Sequence, residues 1–153
     1  MRFEVTNLVE FKELSVVLCN LINENSVVML EGDLGVGKTT LISFIMKQLV
    51  SEKIEYTSPT FNIVHEYYSD LKKFKVFHLD LYRIKSVEEL YEIGLSDMLN
   101  TGALFIEWPQ ISLAILKRIT PERLIMIKLS FLNYDIREIT ITTPCNIINE
   151  ELE

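Results

Sequence analysis

Lys38 and Thr39 are the residues of this chain whose types and spacing point most directly to chemistry. They stand in the run Gly32-Asp33-Leu34-Gly35-Val36-Gly37-Lys38-Thr39-Thr40. Glycine, four residues, then Gly-Lys-Thr is the P-loop pattern. Glycines let the backbone turn its N–H groups inward, so that several donors converge on phosphate oxygens. The following helix adds unpaired N-terminal N–H groups and the positive end of its dipole. The lysine reaches the β- and γ-phosphates, and the threonine hydroxyl can ligate Mg²⁺. The pattern requires a strand before it and a helix after it. The apolar run Val27-Val28-Met29-Leu30 and the helically spaced Leu41, Ile42, Phe44, Ile45 and Leu49 supply both. The alternative is a glycine-rich turn ahead of an ordinary helix, but the four specified positions would coincide by chance in roughly one chain of this length in a few hundred. Residues Gly32 to Thr40 are therefore read as contacts to a nucleoside triphosphate.

A P-loop alone binds nucleotide; hydrolysis also needs Mg²⁺ held by a carboxylate and a positioned or activated water. In open α/β sheets such groups sit at the carboxyl ends of strands beside the loop. Asp80 ends the apolar run Val76-Phe77-His78-Leu79, as a Walker-B aspartate does, and Glu107 ends Ala103-Leu104-Phe105-Ile106 directly before Trp108-Pro109. Either acid, with Thr39, can hold the ion directly or through water, and either can orient the attacking water. The bland alternative is a surface acid capping a turn. A carboxylate in that crevice needs a cation or donor as partner, which favours the site reading. Thr60 belongs to Ser58-Pro59-Thr60, which is either a switch segment with two hydroxyls near phosphate, ion or water, or a plain turn. His78 is either a metal partner for Asp80 or a buried, hydrogen-bonded histidine. Trp108 packs near the nucleotide, faces a partner or fills the core. Arg83 and Arg137 are candidate cations near phosphate or base, with solvated surface as the default.

The elements that must position these residues follow from periodicity. Phe3 to Val5 reads as a short strand, and Asn7 with Glu10 three on reads as a helix start. Leu8, Phe11, Leu14, Leu18 and Ile22 continue that helix to about Asn23, and a turn over 23–26 leads to the strand feeding the P-loop. The P-loop helix runs from Lys38 to about Val50. Pro59 breaks the pattern, and Phe61 to Tyr68 and Phe74 to Tyr82 read as a hairpin, which makes the sheet mixed. Ser86 with Glu89 opens a short helix that Gly94 closes, with another helical turn over 96–100. Ala103 to Glu107 reads as a buried central strand, Ile111 to Ile119 as a helix, and Leu124 to Phe131 with Ile136 to Thr142 as a closing pair of strands. The expected fold is α/β, a single P-loop NTPase domain over 1–145 with a mixed central sheet and helices on both faces. An acidic tail over 146–153 is expected to fray.

Composition removes several function classes. Fifteen basic against 22 acidic residues give a net charge of −7, so the chain is not expected to bind nucleic acid strongly on its own. Hydrophobic residues at 48% and charged residues at 24% describe a globular chain of one domain. Cys19 and Cys145 have no partners at metal spacing and read as reduced structural thiols. Glu4, Glu10 and Lys12 interrupt any signal-peptide core and no apolar run approaches a membrane span, so a cytoplasmic protein is expected.

Four motifs in order, Gly-Asp-Leu-Gly-Val-Gly-Lys-Thr-Thr, Ser-Pro-Thr-Phe, His-Leu-Asp-Leu-Tyr-Arg and Glu-Trp-Pro-Gln, resemble the TsaE (YjeE) family. The resemblance runs from about residue 5 to about residue 142. These are bacterial ATPases required for threonylcarbamoyladenosine formation in tRNA. The resemblance implies that Lys38 and Thr39 bind ATP and Mg²⁺, that Asp80 is the Walker-B-like acid and that Glu107 is a second essential acid near the ion. It further implies that Thr60 lies in a switch-like loop, that Trp108 lies beside the site and that Arg137 approaches the nucleotide. Val36 stands where the family more often has Ala, and the segment from Ile111 to Arg123 is longer and more apolar than the family suggests. In the family's pathway a TsaD–TsaB pair transfers the threonylcarbamoyl group to adenosine beside the anticodon. The ATPase binds that pair and supports its turnover by hydrolysis.

Two other classes share the loop: a small-molecule P-loop kinase, which usually carries an Arg-rich lid, and a nucleotide-dependent switch module with negligible hydrolysis. The chain shows no Arg cluster. Lys38→Ala is expected to abolish productive ATP binding without unfolding the protein. An unchanged affinity in titration calorimetry would reject the P-loop reading.

Overall fold

The computed structural model describes residues 1–144; the predicted acidic tail and Cys145 lie outside the described residues. Among the described residues, the strands are β1 (Arg2–Val5), β2 (Val27–Glu31), β3 (Val64–Ser69), β4 (Phe74–Asp80), β5 (Gly102–Glu107), β6 (Leu124–Phe131) and β7 (Arg137–Thr142). The helices are α1 (Leu8–Leu21), α2 (Lys38–Leu49), α3 (Val87–Glu92), α4 (Leu95–Thr101) and α5 (Gln110–Ile119). One seven-stranded sheet takes the order β1-β7-β6-β2-β5-β4-β3. Its centre, β6-β2-β5-β4, is parallel, while β3 pairs antiparallel with β4 and β7 antiparallel with both β6 and β1. The sheet is mixed, as the hairpin pattern requires.

Strands covered on both faces read as unbroken apolar runs. Every residue of β5 and the first four of β2 are buried. Their side chains alternate between two cores. Val28, Leu30, Ala103 and Phe105 pack with Phe11, Leu14 and Leu18 of α1 and Leu41, Ile42 and Ile45 of α2. Val27, Met29, Leu104 and Ile106 pack on the opposite face with Leu90 of α3, Leu95 and Met98 of α4 and Leu116 of α5. Helices therefore cover both faces. Cys19 belongs to the α1–α2 side, where burial pushes its thiol up to about 11, so it serves as a protonated core filler.

The helix starts are set by side chains. Asn7 Oδ1 accepts the N–H groups of Val9 and Glu10 at 2.9 and 3.0 Å. Glu10 reaches back to the Thr6 N–H at 2.6 Å, one residue earlier than a capping box centred on Asn7 would require. Two predicted strands are longer than the real ones. The stretch over 61–63 is a turn, with Ile63 at φ 67°, so β3 starts at Val64. β4 stops at Asp80 rather than Tyr82, because the Tyr82 N–H turns back to the Asp80 carboxylate at 3.0 Å.

Asp80 and Glu107 occupy the same level at the carboxyl ends of adjacent parallel strands, since β4 and β5 pair in the register Asp80↔Glu107. At the other end of the same pair Gly102 lies against Lys75 so closely that an added Cβ would collide with the Lys75 carbonyl. Gly102→Ala is expected to lower unfolding free energy by about 1–3 kcal/mol through this overpacking. Urea denaturation measures it, and an unchanged midpoint would mean that the strands do not approach this closely.

Candidate active site

The loop from β2 into α2 turns through positive φ at Gly32 (153°), Gly35 (77°) and Gly37 (115°). Gly37 is required twice over, because its φ is left-handed and an added Cβ would sit 3.0 Å from the Phe11 ring. Gly37 is also the N-cap residue of α2 and supplies no side-chain cap, which leaves the helix's first N–H groups to serve an anion. Lys38, at the helix start, is only 4% exposed. Its Nζ donates to the carbonyls of Gly32 and Asp33 at 2.6 and 3.0 Å and lies 4.1 Å from the centroid of the Trp108 ring. Burial lowers its pKa, a shift opposed by the negative charges of Glu107, Asp80 and Asp33. The sequence suggests a cation reaching freely for phosphate; in the folded chain the ammonium is already held.

The two acids are buried beside it, Asp80 at 4% and Glu107 at 3% exposure. Glu107 accepts the Thr39 hydroxyl at 3.0 and 3.1 Å and contacts His78 Nε2 at 2.8 Å. Asp80 accepts the hydroxyls of Ser58 at 2.8 Å and Thr60 at 3.0 Å, and these hydroxyls also contact each other at 2.9 Å. The stretch over 58–60 is thus fastened to the acid at the end of β4, more than a plain turn requires. His78 pairs with the neighbouring strand's Glu107, so the structure takes the buried hydrogen-bonded alternative over a His78–Asp80 metal pair.

Trp108 follows Glu107 directly and takes φ 56°, in the left-handed region that a bulky residue rarely enters. Such a conformation costs on the order of 1–3 kcal/mol and persists only where its surroundings hold it. Here the ring packs against Tyr82 at an interplanar angle of 60°, with centroids 4.9 Å apart, and its face meets the Lys38 ammonium. The chain's single tryptophan is thereby placed over the lysine of the loop.

These residues line one cleft of about 360 Å³, formed by Leu34, Gly35, Gly37, Lys38, Thr39, Thr40, Ser58, Thr60, Asp80, Tyr82, Glu107 and Trp108. Of the loop residues expected to touch a nucleotide, Gly32 and Asp33 offer carbonyls to Lys38 and do not line the cleft, and the Val36 side chain is in the core. Arg137 lies in an adjoining groove on the other side of the loop, with Asn7, Phe11, Gly35, Gly37 and Thr40. Its guanidinium stacks on Phe131 at 5.3 Å and donates to the Asp135 carbonyl at 3.3 Å. Arg83 stacks on Phe61 and does not line the cleft. Sequence reasoning missed Tyr82 and the tie from His78 to Glu107. For Tyr82 the available signal was its place two residues after a candidate acid; nothing local marks the second.

A family profile described as threonylcarbamoyl adenosine biosynthesis protein TsaE matches residues 5–139. A tRNA threonylcarbamoyladenosine biosynthesis protein TsaE of Rickettsia bellii is 38% identical over 141 residues, covering 92% of this chain and 90% of that protein. The protein of the same name from Haemophilus influenzae is 33% identical over 138 residues, covering 89% and 82%. The crystal structure of Bacillus subtilis YdiB superposes with a TM-score of 0.71 at 25% identity, covering 100% of this chain and 96% of that one. No helix among the described residues is long and apolar enough to cross a membrane.

A phosphate that recruits the Lys38 ammonium must draw it from the face of the Trp108 ring, so Trp108 emission is expected to change on addition of nucleotide. Lys38→Ala should remove most of that response. Unchanged emission at a nucleotide concentration shown by calorimetry to saturate the protein would mean that the stack survives binding.

Proposed function

This chain belongs to the TsaE family, whose members serve threonylcarbamoyladenosine biosynthesis, and from that premise we propose that it hydrolyses MgATP to support a TsaD–TsaB pair in modifying tRNA. The observation that carries the reading is the convergence of two buried carboxylates, Asp80 and Glu107, with Lys38 and Thr39 on one cleft at the carboxyl ends of β4 and β5. Binding alone needs the loop; a pair of acids beside it, with Glu107 bonded to its threonine, is what hydrolysis adds.

The donor set fits Mg²⁺. Thr39, Glu107 and Asp80 offer hard oxygen atoms, and the described residues contain no cluster of three or more His, Cys, Asp or Glu side chains able to hold a metal by themselves. Mg²⁺ commonly takes one or two carboxylates and completes its shell with water and substrate phosphate. Thr39 with Glu107 or Asp80 would hold it, and the ion would neutralise charge developing on the phosphate oxygens. Lys38 would give up its bonds to the Gly32 and Asp33 carbonyls and its place over Trp108 to offer its charge to the terminal phosphates. Asp80 and Glu107 are hydrogen-bond acceptors able to hold an attacking water by its protons. Thr60 and Ser58 can exchange their bonds to Asp80 for bonds to phosphate or water, which makes their loop a sensor of what the cleft holds.

No arginine lines the cleft among the described residues. Slow hydrolysis by the protein alone follows, since a transition state with charge left on the γ-phosphate is costly. The mouth of the cleft is apolar and open: Leu34 is 84%, Tyr82 64% and the nearby Phe61 85% exposed. Such a rim suits a protein partner that completes or orders the site. The net charge of −7 suits a factor that leaves tRNA to its partners in the cytoplasm. ATP should favour the docked state, and docking should tighten ATP binding by the same factor.

One experiment tests this reading: phosphate release from ATP is measured for the wild type, Asp80→Ala and Glu107→Ala, alone and with the purified TsaD–TsaB pair. Slow release raised by the pair is expected, with each substitution lowering it by about two or more orders of magnitude while MgATP binding is partly kept. Release that is fast alone and indifferent to the pair would reject the partner mechanism. Bound ATP with no release under either condition would reject hydrolysis, and a phosphorylated small molecule would reassign the chain as a kinase.

A further inference from the structure

His78 lies on β4 two residues before Asp80 and on the same face, with 1% of its surface exposed. The β4–β5 register sets Asp80 beside Glu107 and His78 beside Phe105, so the imidazole approaches Glu107 from deeper in the sheet. Its Nε2 is 2.8 Å from Glu107 Oε1. The other ring nitrogen, Nδ1, is buried with no hydrogen-bond partner. An ionised carboxylate only accepts hydrogen bonds, so the proton of this contact belongs to Nε2. With no partner for Nδ1, the ring is held to the protein's polar groups through Nε2 alone.

The contact continues outward. Glu107 in turn accepts the Thr39 hydroxyl proton at 3.0 and 3.1 Å, leaving the lone pairs of that oxygen for another partner. We propose that His78 is a positioning residue whose Nε2–H holds Glu107 so that the Thr39 hydroxyl keeps its lone pairs turned toward the cation. This rests on the reading of Thr39 and the acids as the Mg²⁺ site. Glu107 has a freely rotating terminal carboxylate; without a donor behind it, nothing on its inner side fixes which oxygen faces Thr39. Partners of this kind, one bond behind a metal's neighbours, typically affect metal affinity by about 10- to 100-fold.

The geometry gives the test its discrimination. A glutamine at 78 carries its amide nitrogen as many bonds from Cβ as the imidazole Nε2 and can donate to Glu107. Asparagine is one bond shorter and leucine has no donor. Mn²⁺ is titrated into each nucleotide-loaded protein and followed by electron paramagnetic resonance, with nucleotide affinity measured separately in chelator and folding checked by thermal melting. His78→Gln should bind Mn²⁺ within about threefold of wild type, whereas His78→Asn and His78→Leu should bind it about 10- to 100-fold more weakly. Metal-free nucleotide affinity should be the same in all. Nitrogen-15 NMR of the wild-type imidazole should show Nε2 protonated.

Wild-type Mn²⁺ affinity in the asparagine and leucine variants, glutamine no better than asparagine, or an Nδ1–H tautomer would each overturn the inference while leaving the ATPase reading intact. Wild-type protein that binds nucleotide but no Mn²⁺ would overturn both. Should the leucine variant fail to fold, the comparison of glutamine with asparagine and the tautomer of the native ring still decide.

Discussion

Two carboxylates buried side by side against one ammonium are the constraint on which the rest of this structure depends. Removing an ionised carboxylate from water costs several kcal/mol unless hydrogen bonds and opposite charge repay it. Asp80 and Glu107 each solve the problem with hydrogen-bond donors. Asp80 takes the Ser58 and Thr60 hydroxyls and the Tyr82 N–H, and Glu107 takes the Thr39 hydroxyl and the His78 imidazole. Lys38 lies near both, and their fields oppose the lowering of its pKa by burial. Two acids and one lysine line the cleft together, and the proposal of a Mg²⁺ site rests on that balance.

The parallel centre of the sheet makes that arrangement possible. Parallel pairing aligns the carboxyl ends of β2, β4 and β5, so a loop after one strand and acids at the ends of two others meet without any being adjacent in sequence. The flanking antiparallel hairpins serve the same end of the sheet. β3 returns the chain so that the segment over 58–60 meets Asp80, and the end of β6 crowds Gly32, where an added Cβ would collide with the Leu129 carbonyl. Trp108 is the strained residue at this end of the sheet, with φ 56°. Its left-handed backbone is tolerated because Tyr82 and Lys38 hold the ring from two sides.

Much of the fold was legible in the sequence because its signals are local. The P-loop needs only eight consecutive residues and the runs on either side, and glycine at positive φ has few substitutes. The apolar runs of β2 and β5 announce burial on both faces, and the acids that end β4 and β5 announce the strand ends. Alternation was a weaker guide where the chain leaves a strand: the stretch over 61–63 is apolar enough to read as strand, yet a turn at Ile63 intervenes, and Tyr82 continues the pattern of β4 after its backbone has turned back to Asp80.

The sequence by itself determined which groups are available: a loop of the P-loop pattern, its lysine and threonine, two acids at strand ends and a pair of hydroxyls flanking a proline. Their chemistry follows from residue type and short-range spacing. Only the tertiary structure decided who partners whom. His78 is two residues from Asp80 and 29 from Glu107 along the chain, yet it bonds Glu107; Ser58 and Thr60 bond an acid some 20 residues on; Arg137 lies across the loop from the acids. Hydrogen-bond pairing depends on strand register and on distances of about 3 Å, and no local pattern in the sequence encodes a distance between strands that meet only when the sheet is assembled.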